Sequence, residues 1–140
     1  MTNETFDYII IGSGSSGSIV AFRLQEFFPN KKILLIESGS SDNKLTVTIP
    51  AGYGYLFYND KVNWKYKTEK IDGLNGRQDY WPKGKILGGS SSINAMVYIR
   101  GQQNDYNNWK INNWSWKDVL PYFLKIENHY LGKSKYHNTD

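Results

Sequence analysis

Glycines stand at 12, 14 and 17 in the stretch YIIIGSGSSGSIVAF, immediately behind a four-residue apolar and aromatic run, 8–11. A G-x-G-x-x-G turn between a strand and a helix has a separate task for each glycine. Gly12 permits the sharp exit from the strand, and Gly14 lets the main chain come close to a diphosphate. Gly17 allows the helix to pack against the strand. The following residues, Ser15 and Ser16, open the helix, whose free N–H groups and positive dipole end favour an anion. Glu37 follows twenty residues after Gly17, at the end of a second apolar run, KILLIE. A carboxylate there can accept both hydroxyls of an adenosine ribose. It favours an unphosphorylated 2′-OH, hence FAD or NAD over NADP. This unit alone does not separate those two.

A second group of residues does. The stretch 84–107, GKILGGSSSINAMVYIRGQQNDYN, holds Gly84-Lys85, the Gly88-Gly89 pair, Ser90-Ser91, Asn94, Tyr98, Gly101 and Asn107. It resembles the signature of the glucose–methanol–choline (GMC) family of flavin oxidoreductases. IPAGYG at 49–54, NWKY at 63–66, WPKGK at 81–85 and WSWKDVLPYFLKIEN at 114–128 are similar to further landmarks of its choline- and alcohol-dehydrogenase-like branch. The likeness runs from Phe6 to the end of the chain. It implies an FAD cofactor, with Asn94, Ala95, Met96 and Val97 along the flavin edge and Ile86 touching the cofactor. The implied binding set also includes Ser38, Trp64, Lys85, Gly89 and Ser90. Asn94 could hydrogen-bond either the flavin or the reacting alcohol oxygen. A glycine–serine turn suits this role because no bulky Cβ keeps its backbone from a flat ring. Some family members tether FAD through a histidine just before the signature asparagine. Ile93 stands there, so a non-covalent flavin is expected.

The same resemblance implies oxidation of a primary alcohol, choline-like or other, by hydride transfer to flavin N5, with oxygen or a quinone as electron acceptor. A histidine base from the C-terminal part of much longer relatives would take the hydroxyl proton. The histidines of this chain, His129 and His137, match no such position. They read as exposed loop residues, and their spacing carries no metal-site logic. No catalytic residue is therefore assigned. The chain reads as the N-terminal part of a larger enzyme, inactive towards alcohols by itself. Two other readings stand beside it: an NAD-dependent dehydrogenase fragment, which leaves 84–107 unexplained, and a non-catalytic nucleotide-binding module.

These residues need elements to hold them. The run 8–11 predicts a parallel strand buried on both faces, and 15–28 a helix with Ile19, Val20, Leu24 and Phe27 along one side. Pro29 and Asn30 end that helix before the second strand. The fold class expected is α/β, a Rossmann-like βαβ unit (6–37) with a long flavin-covering region (38–107) and the start of a helical segment (108–140). Periodicity is poor from 38 to 83, apart from an alternation of Val62, Trp64 and Tyr66 that predicts a strand. Ser115 with Asp118 offers a capping box for a helix reaching about residue 128, kinked at Pro121.

Composition sets outer bounds. The 140 residues carry 17 basic and 13 acidic groups and no cysteine, which removes disulfides and thiolate ligands. The basic residues are spread rather than gathered into a tail, so no nucleic-acid partner is expected. The longest apolar or aromatic run is five residues, 95–99, far below the ~20 needed to span a bilayer. The N-terminus lacks a basic region ahead of an apolar one, and no signal peptide is read. A cytoplasmic protein is expected, with room for peripheral association with a membrane.

Overall fold

The computed structural model describes residues 4–139, in two compact units, one ending at Val97 and the other starting at Tyr98. In the first unit, β1 (Tyr8–Ile11) and β2 (Ile33–Ile36) pair in parallel, with Tyr8 opposite Ile33 and Ile11 opposite Ile36. Helix α1 (Ser15–Phe27) is the crossover between them. It stops where expected: Phe28 donates back to Leu24 O at 2.8 Å and Pro29 follows. At the opposite end of the strands, Asp7 accepts from Lys31 Nζ at 2.7 Å and from the Lys32 amide at 2.9 Å, fixing the register.

The expectation that β1 is buried on both faces is corrected. Burial alternates along β1, and Ile9 and Ile11 are 59% and 87% exposed. The α1 side chains Ile19, Val20 and Phe27 are exposed as well. The apolar composition is that of interior elements, but nothing among the described residues lies over these faces.

The buried core lies elsewhere. Leu56, Val62, Ile86 and Ile93 form it, with Val47 packed against them. Each such side chain contributes ~1.5–3 kcal/mol on burial. The region 38–83 is thus an organised part of the unit. It contains the short helices α2 (Leu45–Thr48) and α3 (Tyr53–Leu56), joined by a 3₁₀ turn at Pro50–Gly52.

The predicted strand through Val62, Trp64 and Tyr66 is broken. Val62 is buried, but Lys65 sits at φ +54°, so only β3 (Tyr66–Lys67) remains, paired antiparallel with β4 (Tyr80–Trp81). The cause is Asn63, which is 2% exposed and replaces a ladder with its own amide. Its Oδ1 accepts from the Lys65 and Lys83 amides at 2.9 and 3.0 Å, and its Nδ2 donates to Phe57 O at 2.7 Å and to the Tyr80 hydroxyl at 3.3 Å. All the polar capacity of this buried side chain is thereby used.

The second unit pairs α4 (Gln103–Asn108) with α5 (Trp116–Lys125). Tyr106 is its centre, with ring centroids 5.3 to 5.8 Å from those of Trp109, Trp116 and Phe123. The capping box of Ser115 and Asp118 forms as expected, and Asn107 Oδ1 adds a bond from the Trp116 amide at 3.0 Å. α5 passes through Pro121 and ends at Lys125, short of the expected 128.

Candidate cofactor site

Gly12 leaves β1 at φ +94°, a conformation that glycine adopts without strain. At Gly17 a Cβ would lie 1.9 Å from Gly12 O, so only glycine allows α1 to start so close to the turn. At Gly14 a Cβ would meet nothing within 4 Å. Gly14 is also the N-cap of α1, without a side-chain cap and with no acid in the first turn. Ser15 and Ser16 are exposed there. The result is an open cradle beside unpaired helix N–H groups, which fits a diphosphate.

Ser13, which the glycine spacing does not single out, organises this cradle. It is fully buried. Its amide and its Oγ both donate to Glu37 Oε2 at 2.9 Å, and its Oγ accepts from the Gly88 amide at 3.2 Å. The signal lay in the x of G-x-G: a position between two tight glycines admits only a small side chain, and a hydroxyl there can serve two partners.

Glu37 lies where β2 ends, as expected. Its Oε1 accepts from the Gly39 amide at 2.9 Å and from Ser38 Oγ at 3.2 Å. With the two bonds from Ser13, this covers the roughly four acceptor sites of a carboxylate. Ribose hydroxyls would therefore displace the weakest bond, from exposed Ser38. Burial pushes the Glu37 carboxyl up, but the bonds from the Ser13 and Gly39 amides and the Ser13 and Ser38 hydroxyls outweigh it. The carboxyl stays below its ordinary value.

The signature segment meets this cradle directly. A Cβ on Gly89 would lie 2.8 Å from Gly14 Cα, so the two glycine turns touch with no side chain between them. The chain at 84–90 is placed by a parallel bridge from Ser40 to Ile86, by Leu87 N–H on Ser40 O at 2.9 Å, and by Ser90 Oγ accepting from the Gly84 amide at 3.0 Å. The Ile86 side chain is wholly in the core, leaving its main chain as the part that could face a cofactor. Ile93 is in that core too.

Other implied residues make contacts of their own. Asn94 Oδ1 accepts from the Met96 amide at 2.8 Å, with Met96 at φ +59°. Asn94 and Met96 line a cleft of about 210 Å³ against Val47 and Tyr53, and Ala95 and Val97 are exposed. Trp64 and Lys85 are joined to each other, Lys85 Nζ lying 4.5 Å above the indole ring.

The second unit corrects the reading of the histidines. His129 and His137 stack with centroids 3.9 Å apart, and His137 Nδ1 lies 3.1 Å from Glu127 Oε2. Glu127, His129 and His137 offer ligand atoms within 4.8 Å of one another, a grouping their sequence spacing does not reveal. Arg100, however, approaches the same Glu127 oxygen at 2.8 Å, and its charge opposes a metal cation. Burial pushes the Glu127 carboxyl up. The hydrogen bonds from His137 and the Asn138 amide, and the Arg100 charge, hold it below its ordinary value. The arrangement is a buried ionic knot closing the loop after α5.

Comparison with known proteins places this geometry. The sequence pattern of the GMC oxidoreductase N-terminal domain matches residues 6–138. The chain is 45% identical to the alcohol dehydrogenase [acceptor] of Pseudomonas putida over 96% of its own length and 25% of that protein's. It is 40% identical to the mitochondrial choline dehydrogenase of Homo sapiens over 99% of its length and 25% of the relative's. Among solved structures it is similar to pyridoxine 4-oxidase from Mesorbium loti, with a TM-score of 0.86 and 37% identity over 96% of this chain and 27% of the other. The chain thus spans about a quarter of the length of these proteins. With both glycine turns joined at one cradle and the match running through nearly every described residue, the chain belongs to the GMC oxidoreductase family, as its N-terminal, FAD-binding domain.

Proposed function

We propose that the chain holds FAD non-covalently and forms the cofactor-binding part of an oxidoreductase that converts a primary alcohol, choline-like or other, to an aldehyde. The observation that carries the reading is the contact of Gly89 with Gly14, which sets the serine-rich turn against the diphosphate cradle. In this proposal Gly12, Gly14, Ser15, Ser16 and Gly17 receive the diphosphate, and Glu37 with Ser38 the adenosine ribose. Gly89, Ser90 and the backbone at Lys85 and Ile86 lie along the path to the ring, and Asn94 to Val97 serve its edge. Trp64 completes the set. FAD would supply the hydride acceptor, N5, and the chain's own residues hold and orient it. Ile93 supports the non-covalent attachment, since its side chain fills the core. The substrate, and an acceptor that is oxygen or a quinone, are proposed from the names and chemistry of the relatives.

Flavin fluorescence quenching tests this on the 140-residue chain. FAD should bind at least about tenfold more tightly than NADH, and Gly14→Val should remove most of that affinity, since every 1.4 kcal/mol is a factor of ten. Acid precipitation should release all the flavin to the supernatant. Equal binding of NADH and FAD by the folded chain, or colour retained in the pellet, would overturn the corresponding part.

A further inference from the structure

The buried amide of Asn63 reaches three separate segments of the first unit. Its Oδ1 receives the Lys65 and Lys83 amides, and its Nδ2 gives to Phe57 O and to the Tyr80 hydroxyl. That hydroxyl in turn donates to Phe57 O. No other side chain of this size offers two donors beside an acceptor oxygen. Asp would set a carboxylate oxygen against Phe57 O, and an apolar residue would strand every partner.

What Asn63 fixes is the stretch that enters the serine-rich turn. Residues 63 and 84 form an antiparallel bridge, with Trp64 N–H on Lys83 O at 2.9 Å and Lys85 N–H on Val62 O at 2.8 Å. The Asn63 side chain adds the Lys83 amide to this short ladder. From there the placement passes from backbone to backbone. A Cβ on Gly84 would lie 2.1 Å from Gly89 O, and one on Gly89 would lie 2.8 Å from Gly14 Cα. A Cβ on Gly39, whose amide bonds Glu37, would lie 2.1 Å from Lys85 O. Main-chain contacts of this kind have no side chain to absorb a displacement, so they transmit it. A shift at Lys83 is therefore felt where the serine-rich turn meets the diphosphate cradle.

The other half of the amide acts on a different wall. Phe57 is the C-cap of α3, and α3 supplies Tyr53 and Leu56 to the cleft shared with Asn94 and Met96. One side chain thus ties that cleft to the turn beside the cradle.

We infer that Asn63 is a positioning residue for the flavin ring. Buried and outside the proposed binding set, it acts through the main chain. It holds the serine-rich turn and the wall of the Asn94 cleft at one fixed spacing. The inference rests on the flavin reading above and adds a residue that serves one half of the dinucleotide. The adenosine half is served by the βαβ unit, where Ser13 and Gly39 hold Glu37 without Asn63. Loss of Asn63 should therefore separate the two halves.

The test is calorimetric titration of the 140-residue chain with FAD and with ADP, which carries the adenosine and diphosphate but no ring. The wild type should bind FAD the more tightly. Asn63→Asp keeps the shape of the side chain and removes its donors. It should weaken FAD at least about fivefold and ADP no more than about twofold. It should also alter the visible circular dichroism of the bound flavin. Tyr80→Phe, which removes one hydroxyl and keeps the ring stacked on Tyr58, should show the same split at smaller size. Unchanged FAD binding in both variants, or equal proportional loss of FAD and ADP in a folded one, would overturn the inference and leave the flavin reading standing. Failure of both variants to fold would do the same, since Asn63 would then only hold the fold. A wild type that binds FAD no better than ADP would overturn the flavin reading, and this inference with it.

Discussion

Ser13 joins three segments through one small side chain: the turn after β1, the end of β2 and the serine-rich turn. Ser13→Ala keeps the backbone bond to Glu37 but leaves the Gly88 amide and one carboxylate position without their partner. The expected loss is about 1–3 kcal/mol of unfolding free energy in urea, with weaker FAD binding. Glu37 gives a pH prediction with a definite sign. Its folded carboxyl lies below the ordinary 4.5, so the unfolded chain binds more protons in the interval between the two values. The stabilisation is complete above the ordinary value and is lost as pH falls through the folded one. Thermal midpoints of the protein and of Glu37→Gln, followed from pH 7 down to about 3, should therefore converge at the acid end. A constant gap would show that the ionised carboxylate is not what stabilises the cradle.

The elements differ in how openly the sequence announces them. β1, α1 and β2 were legible because the apolar runs, the three glycines and Pro29 all agree. The capping box of α5 was legible for the same reason, and Ser115→Ala should cost about 1 kcal/mol, read as a lower denaturation midpoint of the second unit. The helices of 45–56 were not legible, since four-residue helices show hardly more than one turn of any period. The strand expected from Val62, Trp64 and Tyr66 failed at Lys65, whose left-handed backbone follows from Asn63 and not from local alternation. The pairing of His129 with His137 was hidden because it depends on how the last loop folds back on Glu127. Ile93 illustrates a residue whose neighbours mislead. It stands in a serine-rich turn yet belongs to the core, so Ile93→Ala should cost about 2–5 kcal/mol in chemical denaturation. Of the site itself, the glycine motif and Glu37 were readable. The buried bonding of Ser13 needed Gly88, seventy-five positions away, to be in place.

For the molecule as a whole, the notable fact is how much apolar surface the first unit leaves open. Ile9, Ile11, Phe22, Phe27 and Ile36 are all exposed on β1, β2 and α1. Large apolar side chains exposed in this number mark an interaction face or an aggregation hazard wherever they adjoin one another. The folded chain should enhance the fluorescence of anilinonaphthalene sulfonate under native conditions, and Ile11→Lys should reduce that signal while circular dichroism stays the same. An unchanged signal would mean that the dye reports some other region.

The bond between Ser13 and the Gly88 amide has a further consequence, for how the protein comes to be assembled. The βαβ unit is local in sequence, whereas the cradle closes only after the intervening chain has returned, with the loop-closure entropy that this entails. A ligand seated in the cradle binds only the closed arrangement and so favours it by mass action. The dinucleotide then acts as a clasp: saturating it should slow proteolytic cutting throughout residues 39–83, including the many it does not touch.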